Sequence, residues 1–143
     1  MARHLRKPTR RLSILLVEDD PGDILIAEEA LRAGQLDSHL TVVQDGQAAL
    51  AHLRGDSPLP DIVLLDLNLP RMTGHEVLAE IKGDDALRAV PVVVLSTSAA
   101  AEDVRRCYAL GANVYVAKPV DFDQFARVIK QIEEFFLTIA TLP

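Results

Sequence analysis

LSILLVEDDPGD (residues 12–23) is the stretch whose reading decides the fold. Apart from Ser13, residues 12–17 are all Leu, Ile or Val, in a continuous run rather than an alternating one. A run of that kind suits a parallel strand covered on both faces. It is far shorter than the roughly 18 apolar residues that a membrane span needs. Glu18, Asp19 and Asp20 then follow without a break. Like charges this close repel, so either they meet solvent at a strand end or something positive sits among them.

Working outward, four more short apolar runs appear: HLTVV (39–43), DIVLLD (61–66), PVVVLS (91–96) and NVYVA (113–117). Segments with helical spacing lie between them. DILIAEEALRA (23–33) is stopped by Gly34, DGQAALAHLR (45–54) and GHEVLAEIK (74–82) follow, and AAAEDVRRCYALG (99–111) again ends on glycine. A fifth helix begins near Asp121. Strict strand–helix alternation predicts an α/β fold, a doubly wound parallel sheet with right-handed crossovers. No internal repeat, low-complexity tract or interdomain linker interrupts it.

The chain has 143 residues, 49% hydrophobic and 25% charged, which fits one globular domain with a proper core. The net charge of −6 is uneven. Residues 1–11 hold Arg3, Arg6, Lys7, Arg10 and Arg11 with no acid, leaving ten basic against 21 acidic groups in the rest. The first segment reads as a disordered basic leader, and the acidic body disfavours a nucleic-acid-binding face. Without an apolar h-region after the basic start, a secretory signal is not expected. The single Cys107 excludes an intramolecular disulfide, so a reducing, cytoplasmic setting is the expectation.

In open α/β sheets, sites form beyond the carboxyl ends of the strands. Here those ends carry Glu18 and Asp19, Asp66, Ser96 and Lys118. Singly each has an ordinary explanation: a solvated acid, a capping hydroxyl, a surface ammonium. Together they fit a phosphoryl group being transferred to an acid. The chain resembles the receiver domain of two-component response regulators over nearly its whole length, through VEDD (17–20), LLDLNLP (64–70) with Gly74, PVVVLSTS (91–98) and YVAKP (115–119). VEDDPGD, LDLNLPRMTGHEVL, LSTSAAAEDV and the FF…LP close look most like the stand-alone regulators partnered with bacterial and cyanobacterial phytochromes.

The resemblance implies a flavodoxin-like sheet in the order 2-1-3-4-5, which brings Glu18, Asp19 and Asp66 to one spot. Such a trio needs a cation, and oxygen-only ligation favours Mg²⁺, with Mn²⁺ able to substitute. By the same resemblance, Asp66 accepts a phosphoryl group from a sensor histidine kinase and Glu18, Asp19, Asp66 and the Asn68 carbonyl hold the metal. Lys118 pairs with the phosphoryl oxygens, while Asn68, Thr97 and Ser98 lie close to them. Ser96 and Tyr115 form the switch that alters the face made by helix 4, strand 5 and helix 5. The Lys118–Pro119 bond is a candidate for the cis form. Asp20 matches a variable position and is left out of the site. Ser96 stands where many receivers have Thr, Thr97 is bulkier than the usual Ala or Gly, and Thr73 replaces a common Asp. None of these removes a needed group.

The main alternative is a Mg-dependent phosphatase or phosphotransferase with an Asp nucleophile acting on a soluble substrate. Phosphatases of the haloacid-dehalogenase type need a second acid two residues after the nucleophile, where this chain has Asn68. GxxxxGK, GxGxxG and GxSxG are absent, HEVLA (75–79) lacks the second His of a zinc-protease helix, and the His residues are scattered. A nucleotide-binding flavodoxin-like module would not require Asp66, Ser96 and Lys118 at three strand ends. With residues 12–136 taken by the receiver, no output domain for DNA binding is expected. The signal would leave through protein contacts, including onward transfer to a histidine phosphotransfer protein.

The last helix carries Phe122, Phe125, Ile129, Ile132, Phe136 and Ile139 at spacings of 3 and 4, widened by Val128 and Phe135. So much apolar surface, with an apolar extension at 137–143, either folds back on the domain's own core or forms a partner interface; the favoured expectation is a homodimer through the helix 4–strand 5–helix 5 face and the extension, with no membrane contact.

Overall fold

Five apolar runs become five strands, and the chain alternates as its pattern predicts. The elements are β1 (Leu12–Val17), α1 (Pro21–Ala33), β2 (Ser38–Val43), α2 (Gly46–Leu53), β3 (Ile62–Asp66), α3 (Gly74–Lys82), β4 (Val92–Ser96), α4 (Ala101–Ala109), β5 (Val114–Ala117) and α5 (Phe122–Glu134). The computed structural model describes residues 11–34, 36–140 and 142, except the side chain of Ile139. The expected basic leader thus lies outside the described residues, apart from Arg11. The sheet order is β2-β1-β3-β4-β5, with every neighbouring pair parallel.

Each central strand feeds two cores. Leu15 and Val17 of β1 join Val63, Leu65, Val92 and Val94 beneath α2, α3 and α4. Ile14 and Leu16 face the other way, with Leu64, Val93 and Leu95, toward α1 and α5. All of β3 and β4 is buried, which is why their runs do not alternate. Each such side chain contributes about 1.5–3 kcal/mol by leaving water. Because all strands run the same way, all their carboxyl ends open on one edge of the sheet.

Local chemistry sets the helix starts at that edge. Asp20 is the N-cap of α1: its carboxylate accepts from the Asp23 backbone N–H at 2.8 Å, and Pro21 follows in the first turn. Thr73 caps α3 in a reciprocal capping box with Glu76, so the threonine that replaces a common Asp does a helix-capping job. Gly74 is required by proximity: a Cβ there would sit 2.5 Å from the Asp66 carbonyl oxygen and 2.5 Å from Leu67 Cα. The Gly74 N–H also donates to the Leu67 carbonyl at 3.0 Å, folding the loop after β3 back on itself.

Two expectations change. No cis peptide bond occurs among the described residues, so the Lys118–Pro119 bond is trans. The last helix is also less uniformly buried than its stripe implies. Phe125, Ile129 and Phe136 are core residues, whereas Phe122 at the first turn is 63% exposed. Helix α5 passes into a π-helical turn, Phe135–Ile139. Within and beyond it, Phe136, Leu137, Ala140 and Leu142 pack on the α1/α5-side core, while Phe135 stays 47% exposed. The stripe also contains a buried acid: Glu133 is 2% exposed and accepts from the Ser38 hydroxyl at 2.5 Å. Among the described residues, no helix is long and apolar enough to cross a membrane.

Gly74→Ala is expected to destabilise the protein by about 1–3 kcal/mol, because backbone rather than a flexible side chain must yield. Urea denaturation measures this, and a midpoint equal to wild type would contradict the close-approach role.

Candidate functional site

At the carboxyl edge, β1, β3 and β5 end side by side or across one strand, and their terminal side chains meet. Glu18 and Asp66 are buried, at 2% and 6% exposure, and one carboxylate oxygen each from Glu18, Asp19 and Asp66 lies within 4.8 Å of the others. Asp19 is the more exposed member of the trio. The Lys118 ammonium enters from the end of β5, itself 8% exposed. It donates to Glu18 Oε1 at 2.7 Å and to Asp23 Oδ2 at 2.9 Å, and stands 3.7 Å from Asp66 Oδ1. The last distance is an ion pair outside hydrogen-bond reach. Lys118 Nζ also lies 5.8 Å from the centre of the Phe125 ring.

The sequence reading thus brings Glu18, Asp19, Asp66 and Lys118 together as expected, and leaves Asp20 outside as a helix cap. It missed Asp23. An acid in the first turn of α1 is explained well enough by the helix dipole, and nothing local ties it to a lysine 95 residues away.

The remaining predicted residues line the same edge with different partners. Ser96 is buried at the end of β4, and its Oγ accepts from the Ser98 backbone N–H at 3.1 Å. The Lys118 backbone N–H donates to the Ser96 carbonyl at 2.7 Å, fixing the two strand ends together. Asn68 has an exposed side chain, and its backbone N–H bonds the Asp66 carboxylate. Thr97 is exposed. Ser98 turns toward α4, donating its hydroxyl to Asp103 at 2.6 Å. The Tyr115 hydroxyl donates to the Ser98 carbonyl at 2.8 Å, and its half-buried ring packs on the α2–α4-side core. Tyr115 therefore ties β5 to the loop that follows Ser96.

Electrostatics explain how this edge tolerates its charge. Three carboxylates (Glu18, Asp23, Asp66) share one ammonium, and Asp19 adds a fourth beside Glu18 and Asp66. Burial pushes the Glu18 carboxyl up to about 7, against the pull of the Lys118 hydrogen bond, and the Asp66 charge raises it further. Burial likewise raises Asp66, with the Lys118 charge and the Asn68 N–H working the other way. For Lys118, burial alone would lower the ammonium, but its hydrogen bonds to Glu18 and Asp23 carry it above its ordinary value.

A hard divalent cation fits this donor set. The atoms offered are all carboxylate oxygens in a tight trio, and the negative charge exceeds what one lysine neutralises. Glu18 already uses Oε1 for Lys118 and Oε2 for the Asp20 N–H at 3.1 Å. Asp19 and Asp66 therefore offer the more available oxygens.

The raised Glu18 predicts a pH signature in metal-free protein. In the window from the unfolded value of 4.5 to about 7, the folded state binds more protons at Glu18 than the unfolded state does. Stability therefore falls as pH rises through that window. Urea midpoints at pH 5 and pH 7.5 should show the decline, Mg²⁺ should suppress it, and Glu18→Gln should reduce it. A Glu18→Gln profile identical to wild type would contradict the raised Glu18.

Comparison with known proteins agrees with this geometry. Residues 14–130 match the family model of the response regulator receiver domain. The response regulator Rcp1 of Synechocystis sp. is 42% identical over 135 residues, covering 91% of this chain and 92% of Rcp1. The crystal structure of the phosphorylated cyanobacterial phytochrome response regulator RcpA superposes with a TM-score of 0.90 at 45% identity, covering 94% of this chain and 99% of RcpA. The Mn²⁺-bound form of Rcp1 gives 0.87 at 42%, covering 92% and 99%. With the sheet order, the acidic trio and the buried lysine all in place, the chain belongs to the response regulator receiver domain family.

Proposed function

We propose that this protein is a stand-alone response regulator whose Asp66 accepts a phosphoryl group from a sensor histidine kinase. The carrying observation is the Asp66 carboxylate, buried at the end of β3 with Glu18 and Asp19 on one side and the Lys118 ammonium 3.7 Å away. An Asp66 oxygen attacks the phosphorus of a phosphohistidine. The N–P bond breaks, its electron pair stays on the imidazole, which takes up a proton, and Asp66 becomes an acyl phosphate. Water later attacks the phosphorus, the bond to the Asp66 oxygen breaks, inorganic phosphate leaves and the carboxylate is regenerated. The chain catalyses its own phosphorylation and dephosphorylation and is no enzyme on a separate substrate.

Glu18, Asp19, Asp66 and the Asn68 carbonyl would hold Mg²⁺, or Mn²⁺ in its place. The metal would supply positive charge to the trio and to the phosphoryl oxygens. Lys118 stabilises the charge that builds on those oxygens, and the burial of Asp66 strengthens this attraction. Thr97 and Ser98 lie on the loop beside the acceptor. The Ser96 hydroxyl, released from the Ser98 N–H, turns to a phosphoryl oxygen. Movement of that loop reaches Tyr115 through the Ser98 carbonyl and so alters the α4–β5–α5 face. The acyl phosphate carries about −1.5 to −2 charge where the carboxylate carried a single negative charge, and it brings three strong acceptor oxygens, enough to bias such a two-state element.

Identity of 42% and 45% to regulators of which one is described as a phytochrome response regulator supports a bacteriophytochrome-type kinase as donor. A histidine phosphotransfer protein is a second candidate partner, and neither DNA nor membrane is a direct one. A cytoplasmic setting suits the buried, unpaired Cys107. Residues 12–136 form the receiver, preceded by the basic leader and followed by the apolar extension. The exposed Phe135, Tyr108 and Val114 favour a homodimer through the α4–β5–α5 face.

With acetyl phosphate and Mg²⁺, the protein should gain the mass of one phosphoryl group, and Asp66→Asn should gain none. Labelling that persists in Asp66→Asn would overturn the acceptor assignment. For the dimer, sedimentation should show Phe135→Glu shifting the protein to monomer, whereas a wild type already monomeric at high concentration would refute the interface.

A further inference from the structure

Lys118 is held from three sides, and two of the holds lie outside the acidic trio. Glu18 comes from the end of β1, the Phe125 ring from α5, and Asp23 from the first turn of α1. Asp23 is itself fixed, because its backbone N–H is bound by the Asp20 cap. Its carboxylate is 25% exposed against 6% for the Lys118 side chain, so this ion pair is only partly screened by solvent.

We propose that Asp23 is a positioning residue: it anchors the Lys118 ammonium on the α1 side of the site and keeps it from closing onto Asp66. The geometry carries this. Two short contacts bind the ammonium to Glu18 and Asp23, while the third carboxylate, Asp66, waits at 3.7 Å. With Asp23 neutral, the ammonium's remaining anionic neighbours are Glu18 and Asp66. It then shifts toward Asp66 and donates a direct hydrogen bond to the acceptor oxygen. That oxygen becomes a poorer nucleophile, and the ammonium leaves the place where incoming phosphoryl oxygens would meet it.

This inference rests on the reading of Asp66 as phosphoacceptor, and its test separates the two. The reaction followed is attack of an Asp66 oxygen on the phosphorus of acetyl phosphate, with the P–O bond breaking and acetate leaving. At saturating Mg²⁺, Asp23→Asn is expected to slow this step about tenfold, the scale expected for a catalytic group displaced by less than about 1 Å. Asp23→Glu, which keeps the charge, should recover most of the rate. In a Lys118→Met background, Asp23→Asn should have no further effect beyond about twofold, because the residue acts through the lysine. A crystal structure of Asp23→Asn should show Lys118 Nζ drawn from 3.7 Å to hydrogen-bond distance of Asp66 Oδ1. An unchanged rate, or an equal slowing with and without Lys118, overturns the proposal. If wild type accepts no phosphoryl group at all, the phosphoacceptor reading fails instead, and the Lys118–Asp66 distance in the variant still decides whether Asp23 is the anchor.

Discussion

One ammonium among four carboxylates, two of them withdrawn from water, is the constraint on which the carboxyl edge of this sheet depends. Taking charges out of solvent costs several kcal/mol per ion unless each finds a partner. Lys118 partners Glu18 and Asp23 directly and Asp66 at longer range, and it cannot neutralise them all. The result is a site held in electrostatic tension, with both buried acids raised above their ordinary values. Such a site has a standing affinity for added positive charge.

The fold makes that concentration possible. A parallel sheet delivers every strand end to one edge, and the order β2-β1-β3-β4-β5 sets β1 beside β3 with β4 and β5 next in line. Strands that differ widely in sequence position thereby place Glu18, Asp66, Ser96 and Lys118 at one edge of the sheet. An apolar core on each face packs the strands together and so sets where their polar ends lie relative to one another. Gly74 lets the loop after β3 fold tightly against Asp66, and the Lys118 N–H to Ser96 carbonyl bond locks the last two strand ends. The hydroxyl of Tyr115, bonded to the loop after Ser96, links this edge to the more exposed α4–β5 surface.

A second buried acid shows how different the same group is elsewhere. Glu133 is as buried as Glu18, yet no lysine reaches it within hydrogen-bond distance among the described residues; its partner is the neutral Ser38 hydroxyl. Burial raises its carboxyl as well, with Ser38 and Lys130 opposing. One hydroxyl and one acid between α5 and β2 serve packing, whereas several acids and an ammonium at strand ends create chemistry.

Hydrophobic pattern alone determined the strands, the helices and their order along the chain, because burial on two faces writes itself locally as unbroken Val, Ile and Leu runs. The acids at the ends of β1 and β3, the serine ending β4 and the lysine ending β5 were likewise legible, since a strand end is a local fact. The sheet order was not in the periodicity; it came with the family resemblance and the structure bears it out. Tertiary structure alone decided how the charges pair. Lys118 meets Glu18 across 100 residues and Asp23 across 95, and no spacing rule reaches that far. It also decided that Phe122 faces solvent while Glu133 is buried, reversing what hydrophobicity predicts for each. Local sequence sets what each segment prefers to be. Which side chains share a partner depends on distances through space, and those exist only once the sheet has brought its strand ends together.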